Sequence, residues 1–413
     1  MADCCNQPGL VSIETAKALL LDAIKAVDDS ETIPLAMAVG RILAEDVKSA
    51  VNLPPCNNSA MDGYALRMAD AQTDGRLEII GKSFAGAPFK GKLWPGTCVR
   101  IMTGAAMPAD ADTVVMQENV DSDGHSIRIR CDINQGDHVR RRGEDVIEGT
   151  VLAQAREQIA VPHIALLAAA GVGEVTVKRR PQIALFSTGD ELRQPGEPLG
   201  NGDIYDSNRV ALRAALEALD LQILDLGILP DNKAAITKAL GQAAHAADAI
   251  ITSGGVSVGE ADYTREVMEE MGEIDLWKVA MKPGKPFAFG NIRGVPFFGL
   301  PGNPVSALVT FHQLVMPALM AMKGAEWSPP ANLPAKLLSP LKKKPGRTDF
   351  QRGIFRNDTS GALVVEAVGA QGSHILSGLA AANCFVVLEQ EQGSVGVGET
   401  ATVVPFCRSF GAW

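Results

Sequence analysis

The chain changes hydrophobic texture three times. Near its start, Ile13, Ala16, Leu20, Ile24 and Val27 recur at helical spacing behind Ser12, which predicts an amphipathic helix over 12–28 with a serine cap. From about 45 to 150 the apolar runs shorten to 77–84, 97–102, 112–117 and 126–131. Gly, Pro and Asp clusters break them, so the region reads as β-rich. A helix near 159–170 and a strand near 174–179 lead out of it. Over 181–322, strand-like runs at 182–187, 222–228, 248–253, 276–281 and 295–300 alternate with helix-like runs at 208–219, 232–246, 262–271 and 304–321. That alternation predicts a parallel α/β sheet. Asp231 and Asn303 read as helix caps, and Pro304 suits a first helical position. Beyond 326–330 (EWSPP), about five short strands and no helix predict a small β-barrel or sandwich.

The fold class expected is therefore α/β plus β, multidomain, around a central doubly wound, mostly parallel sheet. The pattern divides the chain into an N-terminal helical segment (1–45) packing on other domains, a β-rich domain (46–150), a connecting helix and strand (151–180), the central α/β domain (181–326) and a C-terminal β-barrel domain (327–413).

Composition narrows the function. With 46% apolar and 21% charged residues, the 413-residue chain is globular rather than disordered. Thirty-eight basic against 48 acidic residues give a net charge of −10, which weighs against nucleic-acid and anionic-membrane partners. No uninterrupted apolar run approaches the ~18 residues of a membrane span, and MADCCNQPGL lacks the texture of a secretory signal. The seven cysteines are scattered, none in a CxxC, which disfavours structural zinc and suits reduced thiols in a cytoplasm.

Ligands of open parallel sheets bind at the carboxyl ends of the strands. Here those ends carry STGDEL (187–192), GILPDN (227–232), TSGGVSVGEAD (252–262), MKPGKP (281–286) and GLPGNPVS (299–306), all expected on one side of the sheet. Ser253, Gly254 and Gly255 let backbone amides approach an oxyanion just before a helix start. Asn303-Pro304-Val305-Ser306 opens another helix, offering free amides, a hydroxyl and the positive end of a dipole. Lys282 and Lys285, braced by Pro283, Gly284 and Pro286, supply point charges for a tetrahedral anion. Asp190, Glu191, Asp231, Glu260 and Asp262 oppose them, which makes sense if Mg2+ bridges carboxylates and phosphate oxygens. Taken singly, a Gly-rich loop is a turn and Asp231 a cap; their coincidence carries the signal.

Elsewhere, NNSAMDGYALR (57–67) packs turn formers, Asp62 and Tyr64 into one loop. The run VRRRGED (139–145) sets Arg140, Arg141 and Arg142 beside Glu144 and Asp145, either as a solvated charge run or as a fork for phosphate or a flat ring. PGRTDFQRG (345–353) and QGSH (371–374) bring Arg352 and Ser373, and read as loops when taken alone. No histidine pairs with Ser or Cys in a triad pattern, and His312 reads as a core residue.

In this order, NNSAMDGYALR, MTGA (102–105), VMQE (115–118), RRRGED, FSTGDEL, TSGGVSVGEADYT, KPGKPFAFG, GLPGNPVSA, FQRG and QGSH closely resemble the molybdopterin molybdenumtransferases, the MoeA family that includes the gephyrin E-domain. The resemblance runs nearly the whole length. It implies insertion of molybdenum from molybdate into adenylylated molybdopterin, with release of AMP and with Mg2+ as the cofactor. It further implies an elongated homodimer with a shared cleft, and possible contact with the upstream adenylyltransferase and recipient molybdoenzymes. Asp62, Thr103, Asp145, Glu191, Asp231, Asp262, Lys278 and Lys282 would surround substrate and cation, with Glu191, Asp231 and Asp262 as metal ligands. Lys282, Lys285, Ser306, Arg352 and Ser373 would hold molybdate, and Arg140, Ser253, Gly254, Gly255, Pro301 and Pro304 would line or shape the substrate site. Two other readings stand beside this one. The central sheet alone would suit a molybdopterin adenylyltransferase, and a non-catalytic pterin-binding scaffold would need no poised carboxylates.

Overall fold

The computed structural model describes residues 10–71, 75–254, 263–325, 327–407 and 410. It divides into two compact units, one formed by residues 1–31 and 178–413, the other by residues 32–177.

The first unit is built on a seven-stranded sheet in the order Leu10–Val11, Gly272–Val279, Pro286–Ile292, Val295–Leu300, Ala249–Ser253, Gln182–Thr188, Gln222–Leu229. The last four run parallel, and Pro286–Ile292 lies antiparallel to both of its neighbours. Gly272–Val279 therefore points the same way as the parallel strands, and the carboxyl ends of these five strands lie on the same edge. The sequence reading passed over Pro286–Ile292. No helix separates it from Val295–Leu300, because Arg293 (φ 50) and Gly294 (φ 87) close a tight hairpin.

Successive residues along the inner strands face opposite cores. Ile183, Leu185, Ile251, Phe298 and Leu300 join one cluster; Ala184, Phe186, Ile250 and Phe297 join the other. A sheet covered on both faces explains strands that read as continuous apolar runs. The helices Ser207–Ala218, Lys233–Ala246 and Tyr263–Met271 follow three of the strands. Asn232, not Asp231, caps the second of these, its side-chain oxygen accepting the Ala235 N–H at 2.9 Å.

Ser12 caps the first helix as expected, but that helix stops at Ala23, where Ile24 turns extended. Ile24 and Val27 remain buried beyond it, and the Val27 N–H bonds the Met322 carbonyl at 2.9 Å. The helical stretch Pro304–Met322 carries a π-turn at Phe311–Val315. By length and composition alone it could cross a membrane, yet 89% of its most apolar 18-residue window is buried and it serves as a core helix.

Leu333–Leu337, Thr348–Asn357, Leu363–Ala367, Cys384–Leu388 and Thr400–Pro405 close into a barrel through the pairing of Thr348–Asn357 with both Leu363–Ala367 and Cys384–Leu388. One short helix, Leu376–Ala380, interrupts what the sequence read as helix-free. Met281–Lys282, just past the end of a sheet strand, adds to the barrel in parallel, Lys282 opposite Asp349.

In the second unit a six-stranded sheet runs Thr113–Met116, Gly63–Leu66, Thr97–Ile101, Arg76–Ser83, Ser126–Ile129, Val120–Ser122. NNSAMDGYALR is thus no simple loop, because its second half is a buried inner strand. Gly63 is required there: a Cβ would fall 1.9 Å from the Val115 carbonyl oxygen. The helix Val161–Ala169 covers a smaller core of Leu35, Leu43, Ile159, Leu167, Val175 and Val177.

Phe385 is fully buried and its ring contacts His312, Phe350, Phe406 and Phe410. Phe385→Ala should lower unfolding free energy by about 3–5 kcal/mol, read as a reduced denaturant midpoint with an unchanged m-value.

Candidate functional site

At the carboxyl edge of the sheet, a cavity of about 490 Å³ lies between the strand ends and the barrel. Lys282, Lys285, Ser306 and Ser373 line it, together with Gly254, Pro301 and Gly302. Each reaches the cavity for a local reason. The 282–286 loop packs down on the Pro304–Met322 helix because Gly284 (φ 105) has no side chain; a Cβ there would sit 2.3 Å from the Thr310 hydroxyl oxygen. Gly254 (φ 92) brings its N–H to the Leu300 carbonyl at 3.2 Å, and a Cβ there would meet the Thr188 carbonyl oxygen at 2.9 Å.

Pro304 occupies the first helical turn, and Asn303 precedes it without a side-chain capping bond. The Val305 N–H donates to the Ser373 carbonyl at 3.1 Å, fixing the QGSH loop on the helix start. A helix amino end, two lysines and two hydroxyls around one space suit a compact oxyanion in charge and in hydrogen-bond donors.

The structure adds residues the sequence reading passed over. Arg347, Asp349 and Gln371 also line the cavity. The buried Asp349 carboxylate accepts the Lys282 ammonium at 3.1 Å and the Gln351 amide at 3.2 Å. Its position directly opposite Lys282 in the ladder accounts for the pair, and no local sequence signal reveals that register. Asn208 donates to the Ser253 hydroxyl and to the Gly302 carbonyl, both at 2.8 Å.

Arg352 is placed differently from expectation. It is the largest fully buried side chain, 1% exposed, and does not line the cavity. Its guanidinium donates to the carbonyls of Ala370 (2.9 Å), Gly372 (3.2 Å) and Gln371 (3.3 Å), and burial pulls its pKa below the usual arginine value. On the barrel strand, Gly353 and Phe355 face the barrel core, so Arg352 faces outward with Phe350, and its three carbonyl partners aim the charge at the loop bearing Ser373. Lys278 is exposed on its strand opposite Leu10 and Pro286, outside the cavity lining.

Further along the same edge, Asp190, Glu191 and Asp231 gather. The Asp231 N–H donates to the Asp190 carboxylate at 3.1 Å. Desolvation, and then the charges of Asp190 and Glu191, raise the Asp231 carboxyl above its ordinary range. Crowded carboxylates of this kind fit a divalent cation, which would relieve both the burial and the repulsion. Among the described residues no three ligands stand preformed as a metal cage. Gly255, Glu260 and Asp262, the remaining expectations here, lie outside the described residues.

In the second unit, Asp62 accepts the Thr103 N–H at 2.7 Å and the Thr103 hydroxyl at 2.8 Å, bonds that hold its carboxyl below the ordinary range. Arg140 pairs with Asn58 across a two-residue ladder, and the Arg142 N–H donates to Asn57 at 2.8 Å. The RRRGED and NNSAMDG segments therefore meet. Asp145 is exposed at their margin, its N–H bonded to the Leu53 carbonyl at 3.0 Å.

Together these features define a protein with a polar, lysine-lined cavity at the carboxyl edge of a mostly parallel α/β sheet, walled on one side by a β-barrel. Comparison with known proteins then assigns the family. Residues 11–171 match the MoeA N-terminal region (domain I and II), 184–321 a probable molybdopterin binding domain, and 334–406 the MoeA C-terminal region (domain IV). The chain belongs to the MoeA family.

A molybdopterin molybdenumtransferase of Haemophilus influenzae is 46% identical over 406 residues, spanning 97% of this chain and all of that protein. Molybdopterin molybdenumtransferase 2 of Mycobacterium tuberculosis is 35% identical, over 89% of this chain and 93% of that one. A crystal structure of a MoeA protein from Pyrococcus horikoshii, 29% identical, superposes with a TM-score of 0.83, over 96% of this chain and all of that one.

Because the folded Asp231 carboxyl is raised, the stability it contributes is greatest below the ordinary carboxylate range and is lost as pH rises through the raised value. Asp231→Asn should therefore raise the melting temperature at pH 7 and leave it unchanged near pH 3, as followed by scanning calorimetry.

Proposed function

We propose that this chain transfers molybdenum from molybdate to the dithiolene of adenylylated molybdopterin, releasing AMP, as a molybdopterin molybdenumtransferase of molybdenum cofactor biosynthesis. The observation that carries the reading is the cavity at the sheet edge, where Lys282, Lys285, Ser306 and Ser373 meet the start of a helix. Lys282, Lys285 and Arg347, offset by Asp349, leave two positive charges to balance a tetrahedral dianion, and the hydroxyls and the positive end of the helix dipole answer its oxygens. The thiolates that accept the metal belong to the pterin, so the protein needs no cysteine there.

Molybdate is held by Lys282, Lys285, Ser306 and Ser373, while Arg352 acts one step back by holding the carbonyls of 370–372. Pro301 and Pro304 stiffen the loop between them. Glu191 and Asp231, with Asp262, would hold Mg2+, whose charge when bound offsets that of the phosphoanhydride. Ser253, Gly254 and Gly255 take the backbone-facing side of the substrate, with Lys278 supplying longer-range charge. Within the second unit, Asp62 and Thr103 are locked as a pair, and Arg140 and Asp145 lie in its RRRGED segment. The working enzyme is a cytoplasmic homodimer.

Purified protein given adenylylated molybdopterin, molybdate and Mg2+ should release AMP in step with cofactor formation, whereas production of the adenylate from ATP and molybdopterin would mark an adenylyltransferase instead. Glu191→Gln should cut AMP release by on the order of 100-fold or more with an unaltered melting temperature. Wild-type turnover in that variant would remove Glu191 from the mechanism. Lys285→Gln should raise the KM for molybdate about tenfold, the loss of one charge-assisted contact, and leave the KM for the pterin substrate unchanged.

A further inference from the structure

The segment Tyr205-Asp206-Ser207-Asn208-Arg209 opens the Ser207–Ala218 helix, and none of its side chains lines the cavity. It nevertheless touches three of the loops that make the site. Asp206, 2% exposed, caps the helix by accepting the Arg209 N–H at 3.1 Å and also accepts the Ser187 hydroxyl at 3.1 Å, at the end of the Gln182–Thr188 strand. Asn208 donates one amide N–H to Ser253, at the end of the Ala249–Ser253 strand, and one to the Gly302 carbonyl, two residues past the Val295–Leu300 strand.

The helix end is itself pinned from beneath. The Arg209 guanidinium bonds Asp206 at 2.9 Å and forks onto the Asp225 carboxylate at 2.7 and 2.8 Å, and that carboxylate also accepts the Gly227 N–H at 2.9 Å. A buried carboxylate–guanidinium–carboxylate chain thus fixes the first turn against two strands, leaving the Asn208 carboxamide as a rigid bridge between two loops.

From this geometry we infer that Asn208 is a positioning residue for the oxyanion cavity. Its two donors hold the 253–254 and 301–306 loops at the spacing that aims Gly254, Ser306 and the helix amino end into one space. Gly302 is the point through which it acts: its carbonyl is held by Asn208, and two residues later Pro304 starts the helix whose Val305 N–H is in turn held by Ser373. Without the bridge the Gly302 carbonyl loses this donor, while the Val305–Ser373 bond still ties the helix start from the barrel side. The inference rests on the proposed molybdate-binding role of the cavity and names the residue that sets its geometry.

A bridging role and a packing role predict opposite orders for two substitutions. Asn208→Asp keeps the shape but replaces both donors with a carboxylate facing the Gly302 carbonyl. Asn208→Ala removes the donors without adding repulsion. We measure molybdate affinity of the full chain by titration calorimetry, alongside the melting temperature. Positioning by donation predicts that affinity falls in the order wild type, Ala, Asp, with Asp weaker than wild type by about tenfold or more and melting temperature within about 2 °C. In turnover, the KM for molybdate should rise while the KM for adenylylated pterin stays within about twofold.

Wild-type affinity in Asn208→Asp, or an Ala variant weaker than the Asp variant, would overturn the inference and leave the proposed function standing. A wild-type chain that binds no molybdate would overturn both. Should Asn208→Asp not fold, Asn208→Ala carries the test alone and should weaken molybdate binding about threefold or more, the cost of at least one neutral hydrogen bond. Unchanged affinity there would equally overturn it.

Discussion

The site depends on one short stretch of backbone that belongs to two sheets. Gly272–Val279 ends on the carboxyl edge of the central sheet, and the chain then enters Met281–Lys282, which pairs in parallel with Thr348–Asp349 at the start of a barrel strand. The ladder fixes the register in which Lys282 meets Asp349, and the Val305–Ser373 bond makes a second tie from the helix side. With both ties present the cavity has two walls, one of strand ends and one of barrel loops. Each wall alone is an open surface, on which two lysines and two hydroxyls would face water and bind an anion weakly.

Charge around that edge falls into a net positive group, in which Asp349 offsets one of three cations, and a negative one. The lysines lie where the barrel meets the sheet, while the exposed Asp190 and Glu191 stand beside Asp231, whose carboxyl burial and their charges push above its ordinary range. An acidic protein of net charge −10 can therefore present a local anion receptor, because the loops dictate the local field and the surface total does not. Buried arginines take a different part. Arg209 and Arg352 are spent on carboxylates and carbonyls beneath the site, and what they supply is fixed loop geometry.

Much of this was legible from the residues. Strands covered on both faces stand out as apolar runs, so Gln182–Thr188, Ala249–Ser253 and Val295–Leu300 were found, and the convergence of their loops followed from the rule for parallel sheets. Asp62 and Thr103, far apart in sequence, were both singled out and do meet. Pro286–Ile292 was missed because a hairpin leaves no helical spacer to mark it, and Gly63–Leu66 because a glycine and a small residue dilute a buried strand. Arg352 could not be oriented from sequence, since whether a strand residue faces loop or solvent depends on barrel closure. Asn208 looks like any polar residue in a first helical turn, and only the meeting of three distant segments gives it a part.

The central claim is that separate bends of the chain form one oxyanion receptor at the carboxyl edge of the sheet. The most direct measurement is crystallographic: anomalous scattering from crystals soaked in tungstate, a heavy tetrahedral dianion of the same charge and shape as molybdate. A peak bounded by Lys285, Ser306 and Ser373 is the predicted result. Strong peaks elsewhere on the molecule with none at that position would contradict the account.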